Sequence, residues 1–278
     1  MKNKFLGLTG ILLVTLACGF GTRTTQTQPE IETIVASTLT AFTNAPQEAE
    51  QLTPDGISVN TAEVSFFIPN GVANDATTSM TTDVEFPYIN PSYGDMPQHV
   101  KVLLSLYALT ATQFEPHIMV FRSAEYAQYG EGNADVMSAM QSLQYADGQP
   151  LPENLAADFS AQIHAVNFKN GHGVRYLTQI FTNFNPVNNE ELFYYYQGMT
   201  DNGQYYVQAI LPINAPFLSV DANPNSPLPA DGIPFNTDDF SGYLNMVAQR
   251  LDSTDSFSYT PYLEYLDAMI QSMQVTGY

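Results

Sequence analysis

The strongest constraint on the fold lies in two adjacent runs, ELFYYYQGMT (191–200) and QYYVQAILP (204–212), separated by Asp201-Asn202-Gly203. Aromatic and β-branched residues in two runs of strand length, joined by an Asn-Gly pair, specify a β-hairpin. A three-residue loop closing on a left-handed glycine sets Thr200 opposite Gln204. Alternation then predicts one face carrying Phe193, Tyr195, Met199, Tyr205, Val207, Ala209 and Leu211, and another carrying Tyr194, Tyr196, Tyr206, Gln208 and Ile210. Neither face is hydrophilic, which predicts a central ribbon with helices over one face and partial cover over the other.

A second hairpin is predicted just upstream, AQIHAVNF to VRYLTQIF through KNGHG, with Asn170-Gly171 supplying a positive-φ turn. Further strands are expected at Val64–Pro69, Val100–Leu109 and His117–Arg122, and helical patches at Ser123–Tyr129 and Asn133–Tyr145. Near the carboxyl end, Phe240, Tyr243, Leu244, Val247 and Leu251 form one helical stripe. Thr260-Pro261 reads as an N-cap and first-turn pair opening a helix through Leu263, Leu266, Ile270 and Met273. Strands first and helices last predict an α+β fold, an antiparallel β-meander sheet packed against C-terminal helices, over a single domain at 57–278. No repeat of fixed period is visible.

NGHGVRYLTQ, NNEELFYYYQGMTDNGQYYVQAILP and LDAMIQSM together resemble an uncharacterised family of bacterial surface lipoproteins, over about residues 57–278. That resemblance implies a place at the cell surface but brings no activity and no site residues. The order of strands, connecting helix, four-strand meander and last helix is similar to the PsbP-like α/β sandwich, a likeness of element order that implies no function.

The amino terminus agrees with such a destination. Lys2 and Lys4 precede an apolar run from Phe5 to Leu16, then Ala17 and Cys18, the one cysteine in the chain. The run has the length of a signal-peptide core and is too short to span a bilayer comfortably, which predicts a signal peptide at 1–17. Cys18 after a small residue resembles the lipobox of bacterial lipoproteins, although Thr15 and Leu16 depart from its usual residues; Thr15 and Ala17 equally suit ordinary secretory cleavage. The expectation is an exported protein, lipid-anchored through Cys18 to the outside of a bacterial cell membrane. Residues 18–56 then read as a flexible tether, with a short amphipathic helix at 30–43 whose stripe is Ile31, Ile34, Val35, Thr38, Leu39 and Phe42. That helix either half-forms and docks on the domain or serves as a self-association or partner helix.

Twenty-eight Asp and Glu face only 8 Lys and Arg, a formal net charge of −20. Only 13% of residues are charged, so the acidity is a shortage of base. Nucleic acid is excluded as a partner class, because phosphate affinity requires clustered cations. With 44% hydrophobic residues the chain has enough apolar side chains for a full-sized core.

Motifs for chemistry are sparse. There is no G-x-S-x-G, S-x-x-K or H-E-x-x-H, and His99, His117, His164 and His172 are scattered. No cofactor and no metal is expected. DANPNSPLPADG (221–232) places Asp221, Asn223 and Asn225 at alternating positions, but Ser226 and Gly232 occupy the places where a calcium loop needs Gly and Glu. A different calcium site drawing on Asp221, Asp231, Asp238 or Asp239 stays open. Lys169, His172 and Arg175 concentrate basic side chains around a glycine-bearing turn, either to receive an anionic group or to pair with neighbouring carboxylates. Tyr194, Tyr196 and Tyr206 offer an amphipathic platform for a sugar or peptide, or ordinary cross-strand pairs. The functional expectation is a non-catalytic ligand- or partner-binding role. The alternative is an extracytoplasmic hydrolase whose carboxylates converge with His172 or His164 in the fold.

Overall fold

The computed structural model describes residues 55–83, 96–130, 132–142, 159–181 and 183–278. The expected signal peptide, the lipidated Cys18, the helix at 30–43 and the end of the patch reaching Tyr145 lie outside the described residues. Among the described residues ten strands form: β1 (Gly56–Asn60), β2 (Val64–Pro69), β3 (Asp75–Thr81), β4 (His99–Ser105), β5 (His117–Arg122), β6 (Ala161–Ala165), β7 (Gly171–Thr178), β8 (Phe193–Thr200), β9 (Tyr205–Pro212) and β10 (Gln274–Val275). The α-helices are α1 (Ser123–Tyr129), α2 (Asn133–Gln141), α3 (Phe240–Asp252) and α4 (Leu263–Gln271).

Seven strands make one sheet in the order β3-β4-β5-β9-β8-β7-β6, and β1-β2-β10 make a second; every ladder is antiparallel. The α+β class and the antiparallel meander are thus present. Both faces of the large sheet are covered. On one side Val100, Val102, Val120, Val207, Ala209, Leu211, Tyr194 and Tyr196 meet β2 and the apolar stripes of α3 and α4. On the other, Phe121, Phe193, Tyr195, Met199, Tyr206 and Tyr176 meet α1 and α2. Every residue of β8 is buried, because it lies inside the sheet with a layer on each side.

The hairpin register differs from the sequence expectation by one residue. Met199 pairs with Tyr206, and Tyr194 with Leu211. The loop takes four residues because the Thr200 hydroxyl oxygen, rather than a main-chain carbonyl, accepts the Tyr205 N–H at 3.0 Å. Gly203 is left-handed, at φ +68°, as the loop chemistry requires. Since side chains alternate, the slip moves Tyr206 to the face opposite Tyr194 and Tyr196.

Two further local expectations are corrected. Gly171 has no positive φ; it pairs with Phe168 across Lys169-Asn170. Glycine is needed there for close approach, since a Cβ would lie 2.4 Å from the Met199 carbonyl oxygen and against the Phe168 ring. Thr260 does not cap α4, whose N-cap is Tyr262. Its backbone instead exchanges hydrogen bonds of 2.7 and 3.1 Å with Asn214. The amino end of α3 follows the usual chemistry, with the Asp239 carboxylate accepting the Gly242 N–H at 3.0 Å.

Candidate functional site

The strands and helices separate the residues singled out from sequence. Lys169 is exposed at the β6–β7 turn. His172 and Arg175 are an odd number of positions apart on β7 and so point to opposite faces. His172 faces α2, its Nε2 3.2 Å from the Met140 carbonyl oxygen and its Nδ1 3.5 Å from Asp201 Oδ1. His164 is exposed on β6.

Arg175 is buried against the carboxyl-terminal helices. Its guanidinium donates two bonds of 3.1 Å to the Asp267 carboxylate on α4 and a third to the Gln162 carbonyl oxygen. Gln162 sits at φ +53° where the β6–β7 register shifts, and its side-chain amide donates to the Leu251 carbonyl oxygen at the end of α3. Tyr194 completes this node, its hydroxyl donating to Asp267 Oδ1 at 3.0 Å. Burial and the neighbouring Asp267 charge push the Tyr194 phenol well above its usual range.

The tyrosine platform is not formed. Tyr194, Tyr196 and Tyr206 are all fully buried. The Tyr196 ring lies over the paired glycines Gly173 and Gly198, and its hydroxyl donates to the Val166 carbonyl oxygen at 3.0 Å. Tyr206, on the α1 side, accepts from the Gln197 amide at 2.8 Å, while Gln208 donates to the Tyr126 and Tyr195 phenols at 3.0 and 2.6 Å. These rings and amides belong to the buried interior and offer no surface platform.

The carboxylates considered for calcium are likewise dispersed into local structure. Asp221 Oδ1 accepts from the Asn223 N–H and the Ser226 hydroxyl. Asp231 pairs with Arg250 at 2.8 Å on the surface, and Asp239 caps α3. The Asp238 N–H is taken by Asn236. Among the described residues no group of three His, Cys, Asp or Glu side chains is placed to hold a metal ion.

What the 221–235 segment does build is a cavity. A surface pocket of about 330 Å³ lies between this segment, Pro186-Val187, Leu218-Ser219 and Tyr243 of α3. Its lining is mainly apolar: Pro186, Val187, Leu218, Pro224, Leu228, Ile233, Pro234 and Phe235, with Ser219, Asn223 and Ser226 interspersed. Among the described residues no charged side chain lines it. Asn236 orders the entry to α3 by accepting the Asp238 N–H at 3.0 Å. Leu228 folds back over Gly232, where a Cβ would come within 2.4 Å of it.

The Pro186-Val187 wall is held from behind by a polar cluster. Glu191 Oε2 accepts from Gln179, Asn188 and Asn185 amides at 2.7, 2.9 and 3.0 Å. Gln179 and Asn188 are fully buried, and Gln179 Oε1 accepts the Asn188 N–H at 2.9 Å. Burial pushes the Glu191 carboxyl up; the Asn188 and Asn185 bonds pull the other way, and Glu190 adds to the rise. At the front of the same wall the Val187 N–H donates to the Tyr243 hydroxyl oxygen at 3.0 Å. The Tyr243 phenol is raised to about 12, chiefly by burial.

The sequence did not single out this cavity. Its walls come from 186–187, 218–235 and 243, which no periodic pattern of the sequence joins. The fold and cavity together define an antiparallel α+β protein with an uncharged surface pocket beside its third helix. No family model matches the chain, and comparison with curated proteins and with solved structures finds no similar protein.

Proposed function

We propose that the protein is an exported surface protein, lipid-anchored at Cys18 as in the bacterial lipoproteins it resembles, that binds an uncharged ligand non-catalytically in the cavity beside α3. The observation that carries the binding role is the lining itself. Apolar side chains and prolines make up most of its residues, and among the described residues no carboxylate, imidazole, ammonium or thiol lines it. The groups that general acid–base chemistry would require are elsewhere: His164 lies exposed on β6, and His172 lies against Met140 and Asp201. This arrangement supports binding over hydrolysis.

Methyl-resolved NMR with a panel of neutral fragments tests the binding role. Shifts concentrated on the methyls of Val187, Leu218 and Leu228 support it, and shifts confined to other parts of the molecule sink it. The anchor is tested separately by Cys18→Ser and membrane fractionation. Loss of membrane retention supports it; unchanged retention removes it.

A further inference from the structure

Asparagine followed by glycine occurs three times, at Asn70-Gly71, Asn170-Gly171 and Asn202-Gly203. In such a pair the glycine main-chain nitrogen can attack the asparagine side-chain carbonyl carbon, because glycine has no Cβ to hinder the approach. The attack requires the side chain and the intervening peptide unit to swing together, and hydrogen bonds to either resist it. Two of the pairs are held. The Asn170 amide donates to the Val275 carbonyl oxygen at 2.6 Å and accepts the Val275 N–H at 3.0 Å. Its peptide unit is bonded on both sides: the Asn170 carbonyl oxygen accepts the Asp201 N–H at 2.9 Å, and the Gly171 N–H donates to the Phe168 carbonyl oxygen at 3.2 Å. Asn202 Oδ1 accepts from the Thr200 hydroxyl and the Gln204 N–H at 2.7 and 3.0 Å, and its Nδ2 donates to Gln204 Oε1 at 3.1 Å. The Gly203 N–H in turn donates to the Thr200 carbonyl oxygen at 2.7 Å.

Asn70-Gly71 has none of these restraints. The pair is exposed at the turn leaving β2, which the Val72 N–H closes onto the Pro69 carbonyl oxygen at 3.1 Å. Gly71 sits at φ +89°, with nothing within 4 Å of where a Cβ would stand. Among the described residues neither the Asn70 side-chain amide nor the peptide unit joining Asn70 to Gly71 makes a hydrogen bond. We infer that Asn70 is a site of spontaneous deamidation in the folded protein, an inference independent of the pocket and its ligand. The Gly71 nitrogen, having given its proton to hydroxide, bonds to Asn70 Cγ; the Cγ–Nδ2 bond breaks, and ammonia leaves with a proton taken from water. Water then opens the cyclic imide at one of its two carbonyls, leaving aspartate or isoaspartate. Either product adds a carboxylate to an already acidic chain, and isoaspartate also lengthens the main chain by a carbon. That carbon enters the turn directly before Val72 and Ala73, which are 0% and 3% exposed. Ageing at Asn70 therefore strains the link between β2 of the small sheet and β3 of the large one.

The test incubates the purified protein in mildly alkaline buffer, folded and unfolded in guanidinium chloride. Peptides around the three pairs are followed by mass spectrometry, with electron-transfer fragmentation to distinguish isoaspartate from aspartate. In the folded chain Asn70 should convert at least about tenfold faster than Asn170 or Asn202, since opening even one hydrogen bond first slows the attack by about that factor. In denaturant the three rates should converge, and in Asn70→Gln, whose longer side chain closes the ring far more slowly, modification at this position should vanish. If Asn170 or Asn202 keeps pace with Asn70 in the folded protein, the inference is overturned. It is overturned equally if Asn70 stays intact in the folded protein while the unfolded chain converts at all three pairs. The comparison of sites in the wild type decides the matter even if Asn70→Gln fails to fold. The isoaspartate form, separated by anion exchange, should melt below the unmodified protein; equal midpoints would overturn the strain assigned to the turn.

Discussion

Arg175 and Asp267 face each other through two nitrogen–oxygen bonds of 3.1 Å, joining the middle of β7 to the last helix beneath a nearly dry layer. Their side chains are 5% and 17% exposed. Two bonds held in a fork, with Tyr194 donating to the same carboxylate, make this a fixed junction rather than a surface pair. Replacing Arg175 by Met leaves a buried carboxylate facing a phenol, and the expected cost is about 3–5 kcal/mol. Urea unfolding measures it. The double variant Arg175→Met, Asp267→Leu should recover part of the loss, the Tyr194 hydroxyl having lost its acceptor; a double variant no more stable than the single one would show that the unpaired carboxylate is not the source of the loss.

Gly198→Val tests the cover over the paired glycines. A Cβ at Gly198 would lie 2.5 Å from the Tyr196 hydroxyl oxygen and 2.7 Å from its ring. The expected destabilisation is about 1–3 kcal/mol, typical of overpacking. Adding Tyr196→Leu should return part of it. Equal melting temperatures for Gly198→Val and wild type would mean that the ring moves aside freely.

Glu191 sets the sign of a pH effect. Its carboxyl is raised in the folded chain above the ordinary value of 4.5. Between 4.5 and that higher value the folded state holds more proton than the unfolded state, so this group's contribution to stability falls as pH rises through the window. The melting temperature of wild type minus that of Glu191→Gln should therefore decrease as pH increases above 4.5. A difference that grows with pH would show that the three amide donors outweigh burial.

Calcium should leave the melting curve unchanged. Asp221, Asp231 and Asp239 already serve a turn, an ion pair and a helix cap. Coincident curves in millimolar calcium and in chelator are expected, because a ligand that does not bind the folded state cannot shift its midpoint. A rise with calcium would mean that these carboxylates regroup around the ion.

Asp239→Ala removes the cap of α3 and should cost about 1 kcal/mol. Thermal unfolding measures the loss, and an unchanged midpoint would show that the Asp239 bond to the Gly242 N–H contributes nothing.

Sequence patterning was most informative where one side-chain period ran for several residues. The stripe Tyr243, Leu244, Val247 and Leu251 is the buried face of α3, and β2, β5 and α1 occupy the expected residues. The register of β8 and β9 was lost to a single side chain, the Thr200 hydroxyl, whose competition with main-chain acceptors leaves no periodic trace. β3 was missed because Asp-Ala-Thr-Thr-Ser-Met-Thr is exposed along most of its length and so shows no apolar alternation. The basic residues around the KNGHG turn suggested one site, yet strand alternation sends His172 and Arg175 to opposite faces. The cavity was illegible for another reason: Pro186, Leu218, Phe235 and Tyr243 meet only through tertiary packing.

The pairing of β10 with β2 sets an order of events in time. Gln274 and Val275 bond to Ser65 and Val64, and Ser272 accepts the Phe67 N–H across 205 positions of chain. While the polypeptide is being made, β2 leaves the ribosome long before β10, and one of its edges waits for that partner strand. Closure of the small sheet is consequently a late step, and whatever shields β2 until then shares in determining the yield of folded protein.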